Sequence, residues 1–88
     1  MTNRMIKGRQ VRAARAMLDL SRKAFASKAG VSLSSLIRLE EDVVDVRRST
    51  VIKVISTLEN LGISLKNNDD GTFGIKVTGK SDLDQNPG

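Results

Sequence analysis

The amino-acid sequence predicts a mainly α domain, four helices followed by a β-hairpin, and three observations lead there. Its 88 residues leave room for one domain and no more. Four segments repeat apolar residues at three- and four-residue spacing, with Ser or Gly at most of their ends. After Gly62 the repeat shortens to alternate residues, and Asp70-Gly71 divides two such runs.

The first helix is expected from about Lys7 to Leu18. Val11, Ala14, Met17 and Leu18 recur at helical spacing there, with Arg9, Arg12 and Arg15 between them. Asp19-Leu20-Ser21 breaks it, and the Ser21 hydroxyl can accept from N–H groups unpaired in the next first turn. That second helix, Arg22 to Ala29, turns Phe25 and Ala29 to one face and stops at Gly30, which suits a left-handed conformation. Val31 leads to Ser32, a second cap, and to a third helix from Leu33 to Glu40. The stretch 41–48 has no period and reads as a loop. Ser49 is expected to cap a fourth helix to about Leu61, with Val51, Val54, Ile55, Leu58 and Leu61 in a stripe. Gly62 stops it. Strands then cover Ile63–Lys66 and Phe73–Val77 around a turn at 67–71.

Composition narrows the function. Lys+Arg is 15 against Asp+Glu 10, a net charge of +5, and a small basic domain usually meets a polyanion. The charge is uneven. Residues 1–40 hold nine basic and two acidic side chains, whereas 41–88 hold six and eight. There is no Cys and no His, which removes disulfides, thiolate chemistry, imidazole bases and the usual zinc ligand sets. No Tyr or Trp and only Phe25 and Phe73 make stacking of unpaired bases a poor fit. The start, 1–7, has charge but no apolar run behind it, and Ala16-Met17-Leu18 is the longest aliphatic stretch, so neither a secretory signal nor a membrane span is expected. The chain reads as a binding module of a reducing cytoplasm, without catalysis, metal or cofactor.

Two short helices joined across Ala29-Gly30-Val31-Ser32 form a helix-turn-helix, over 22–40. Ala26 is small where the backbones approach, Gly30 permits the turn and Val31 anchors it. The second helix of such a unit fits a DNA major groove. On that reading the domain spans 7–78, the hairpin occupies 63–77, and residues 1–6 and 79–88 are flexible tails.

The runs Arg12-Ala13-Ala14-Arg15-Ala16-Met17-Leu18, Ala26-Ser27-Lys28-Ala29-Gly30-Val31-Ser32 and Leu36-Ile37-Arg38-Leu39-Glu40 resemble the Cro/lambda-repressor-like, or Xre-type, family over about residues 8–65. The ending Leu58-Glu59-Asn60-Leu61-Gly62-Ile63 with its hairpin resembles a small bacterial subgroup, often borne by phages or mobile elements. The resemblance implies a compact helical transcriptional regulator, usually a homodimer on an inverted-repeat operator at the bacterial nucleoid. It also places Arg15 and Glu40 where the family pairs an arginine with a glutamate. Both lie among apolar neighbours, and one charge buried alone is costly, so a framework ion pair is favoured over a DNA contact.

The reading surface is expected at Leu33, Ser34, Ser35 and Arg38. Arg38 suits guanine O6 and N7, and the serines suit phosphate or either base edge. Leu33 suits a thymine methyl or a protein interface. Arg38 on a solvated face, or paired with Glu41, is the alternative. Arg22, where the family usually has Gln, is well placed for a phosphate, and so are Lys23, Lys28, Arg9, Arg47 and Arg48. Glu41, Asp42 and Asp45 depart from the family, since carboxylates near phosphates repel them. The apolar hairpin residues Ile63, Leu65, Phe73, Ile75 and Val77 are expected to form a dimer interface, or else to cover Val54 and Leu58 within one chain. Beside the DNA-binding reading stands a second class: an interaction module that binds another regulator or a toxin. An enriched inverted repeat would favour the first.

Overall fold

Helices α1 (Gly8–Met17), α2 (Arg22–Ala29), α3 (Leu33–Glu40) and α4 (Arg48–Asn60) precede strands β1 (Ile63–Asn67) and β2 (Phe73–Val77). The strands pair antiparallel with Ile63 opposite Val77 and Leu65 opposite Ile75. This computed structural model describes residues 6–43 and 45–77, so most of the two tails lies outside the described residues. The architecture is the one read from the sequence, four helices and a hairpin.

Local chemistry sets the helix ends where it was legible. Ser21 accepts the Ala24 N–H and Ser32 accepts that of Ser35, each relieving an orphan donor. Gly30 closes α2 at φ 73°, a conformation that side chains disfavour. Asp19 and Asp42 take the same left-handed region at φ 59° and 58°, ending α1 and α3. The Leu20 N–H reaches back to the Arg15 carbonyl, and the Val43 N–H to that of Arg38.

Three readings need correction. Ser49 does not cap α4. The Arg47 carbonyl already accepts from Thr50 and Val51, so the helix starts two residues earlier and Ser49 lies inside its first turn. Ile6 is not part of a loose tail; it is buried in the core. Met17 is more than half exposed, because α1 ends there and Leu18 and Leu20 pack inward instead.

The core gathers Val11 and Ala14 of α1, Phe25 of α2, Leu36 and Leu39 of α3, and Val54 and Leu58 of α4. Burying such side chains is the main source of stability, at about 1.5–3 kcal/mol each. The hairpin completes this core. Ile63 is buried, Leu65 and Ile75 are partly buried against it, and β1 packs on α4 while β2 packs on α1. Ile63 is therefore withdrawn from any dimer interface, since the fold needs its own apolar strand face first. Phe73 and Val77, at the two ends of β2, stay exposed. At the hairpin tip the Thr72 hydroxyl and N–H both donate to Asp70, holding its carboxyl below the ordinary value.

Gln10 locks the hairpin in place. Its side chain is buried, its amide donates to the carbonyls of Lys66 (3.0 Å) and Gly74 (2.9 Å), and its oxygen accepts the Lys7 N–H (2.8 Å). Gln10→Leu leaves three polar groups without that partner, so it is expected to destabilise by about 1–3 kcal/mol. Amide exchange should quicken over 63–77 before it does in α2 and α3. Uniform exchange across the domain would contradict this.

Candidate nucleic-acid interface

Helix α3 buries Leu36, Leu39 and Glu40, and this fixes what its other side shows. Ser34 and Arg38, four residues apart, share the opposite face, and Leu33 stands exposed at the helix start. The Ser32 cap gathers the neighbouring hydroxyls, with its oxygen 2.8 Å from Ser35 Oγ and 3.3 Å from Ser34 Oγ. One end of α3 thus presents a small cluster of hydroxyls able to turn to an acceptor or a donor.

Glu40 anchors this helix from behind. Its side chain is fully buried, and Arg15 grips it with two bonds, Nε to Oε2 at 2.8 Å and Nη2 to Oε1 at 3.1 Å. Arg15 Nη1 also donates to the Leu20 carbonyl. Arg22 adds a third bond, Nε to Oε1 at 3.0 Å. From the sequence, Arg22 is expected on a phosphate alone. It first serves the buried carboxylate, and only its other N–H donors remain for a phosphate. Two arginines on one carboxylate offset the cost of burying it and tie α1, α2 and α3 into one frame.

The three unusual carboxylates separate in space. Asp42 turns back to α1 and accepts the Gly8 N–H at 2.8 Å, capping a helix whose own N-cap, Lys7, has no side-chain acceptor. Asp45 pairs with Arg38 Nη2, so the partner of Arg38 comes from the loop before α4 and is not Glu41. Glu41 is exposed. Nothing local announces the Gly8–Asp42 contact, which spans 34 positions. The opposite charges of Arg38 and Asp45 are a visible signal, but α3 ends at Glu40 between them, so no helical spacing brings them together.

Ser35, Arg38, Asp45, Val46 and Arg47 line one groove of about 270 Å³ between α3 and the start of α4. Lys23, Lys28, Arg47 and Arg48 are exposed. Arg9 stands elsewhere. Its guanidinium lies 5.5 Å from the Phe73 ring centroid, in a second, apolar groove shared with Gln10, Ala13, Gly74 and Ile75. Lys7 approaches the same ring at 5.6 Å.

Among the described residues no helix is long and apolar enough to cross a membrane. No group of three or more Cys, Asp or Glu there could hold a metal ion. A family model described as Helix-turn-helix matches residues 11–65, from α1 to the middle of β1. No curated protein matches the chain.

Proposed function

Because the chain belongs to the Cro/Xre-type helix-turn-helix family, whose members are DNA-binding regulators and not enzymes, we propose that it is a sequence-specific repressor. It acts as a homodimer on an inverted-repeat operator, in the cytoplasm at the nucleoid. The observation that carries this reading is the outer face of α3. Ser34 and Arg38 point away from the core, and Arg38 shares one groove with Ser35 and Arg47. A helix so presented can lie in the major groove, with Arg38 on a guanine and the serines on base edges or phosphate. Leu33, exposed at the start of α3, suits a thymine methyl. Lys23, Lys28, Arg47, Arg48 and the free donors of Arg22 suit the phosphates. Arg9, beside Phe73, is the weakest member of that set.

Self-association then falls to what the fold leaves over. Phe73 and Val77 are exposed, and among the described residues β2 is paired on one edge only. Two-fold pairing there would suit half-sites about 34–36 Å apart.

Selection of bound sequences from random duplex tests the whole reading, and an enriched inverted repeat is the expected result. Arg38→Ala should lose preference at one base position per half-site, at a cost of about 1–3 kcal/mol. Lys23→Ala is the cleaner phosphate control, because Arg22 also holds Glu40; it should weaken all sequences alike. Equal, sequence-blind losses from both variants would remove Arg38 from the reading role.

A further inference from the structure

We infer that Asp45 is a specificity-determining residue, which holds Arg38 away from phosphates so that the arginine is spent on a base edge. The inference rests on the DNA-reading role of α3 proposed above. Three observations carry it. Arg38 lies on the solvent face of α3, its Nη2 is bonded to Asp45, and both side chains line the groove that also holds Ser35 and Arg47. Of the three carboxylates at 41–45, Asp42 is turned to Gly8, which leaves Asp45 as the one lining this groove.

The Arg38 and Asp45 side chains are 45% and 68% exposed. A pair so open to water contributes little to folding. Its consequence lies in binding. A free arginine in a basic groove takes any phosphate, and each such contact strengthens binding regardless of sequence. Asp45 works against that in two ways. Arg38 reaches a phosphate only by giving up a charge-assisted hydrogen bond, and the carboxylate itself repels the phosphate.

A base edge meets neither obstacle. One bond from Nη2 leaves the guanidinium a complete two-donor edge for guanine O6 and N7. The carboxylate keeps acceptor capacity for an amino group such as cytosine N4. Arg38 and Asp45 together therefore complement base edges and mismatch the backbone. Specificity is a ratio of affinities, and Asp45 raises it chiefly by lowering the non-specific side.

The test uses the full chain and two duplexes of equal length, one carrying the selected sequence and one its shuffled version. Asp45→Asn keeps the shape and removes the charge, and circular dichroism confirms that the variant folds. Affinity for the shuffled duplex should rise and that for the selected one should change little, so the ratio falls about fivefold, the low end of a bidentate base contact. In an Arg38→Ala background the same Asp45 change should leave the ratio where it stands. An equal gain on both duplexes reduces Asp45 to bulk charge and overturns the inference. So does no change on either. Failure of the DNA-reading role looks different: the parent chain then selects no sequence at all, and both readings fall together.

Discussion

Arg15→Ala is expected to lower stability by about 3 kcal/mol, the lower end for breaking a buried ion pair. Glu40 has no exposed side-chain surface, and Arg15 supplies two of the three bonds it receives from arginines. Removing Arg15 leaves a buried carboxylate with one N–H from Arg22, whose side chain is 39% exposed. Without Arg22 the loss would stand at the upper end. In a domain of this size 3 kcal/mol corresponds to a fall in Tm of about 12–24 °C. Arg15→Met with Glu40→Leu should recover much of it, since apolar residues of similar volume carry no desolvation cost. A thermal melt of Arg15→Ala that overlays the parent would show that the triad contributes nothing.

Gly8→Ala is expected to cost a similar amount, against the usual direction. In an ordinary helix interior the change gains about 0.5–1 kcal/mol through reduced backbone entropy. Here a Cβ at position 8 would stand 2.2 Å from the Glu40 carbonyl oxygen and 2.7 Å from that of Leu39. Both are backbone atoms and neither can rotate away. Helix α1 would have to withdraw from α3, stretching the Gly8–Asp42 bond and the Arg15–Glu40 pair and loosening Val11 and Ala14. Overpacking costs about 1–3 kcal/mol and occasionally more, and the lost contacts place Gly8→Ala at the top of that range. Chemical denaturation followed by far-ultraviolet circular dichroism measures it. A variant as stable as the parent would mean that the two helices part freely.

The two predictions sit on opposite sides of what the sequence reveals. Arg15 and Glu40 were legible as a pair through a family resemblance, and the structure adds Arg22 as their third member. Gly8 was not singled out at all. A glycine at a helix start carries no local mark that a carbonyl 32 positions away will press against it. Gln10 is the same case. Polar residues in a helix usually face water, and only the arrival of β1 and β2 buries this one and gives both its amide N–H groups acceptors.

What the sequence determined by itself was governed by neighbours along the chain. Serine hydroxyls and the Gly30 backbone act within three or four residues, so the bounds of α2 and α3 could be read directly. Alternation around Asp70-Gly71 located the hairpin, with β1 running one residue further, to Asn67, than expected. Tertiary structure alone decided which partners met across the chain. It sent Asp42 to cap α1, set Asp45 against Arg38, folded Ile63 into the core and left Phe73 and Val77 outside. The physical reason is that periodicity specifies a face and a cap specifies an end. Which carboxylate satisfies which donor depends on the packing of whole helices, set by the summed burial of residues far apart in sequence.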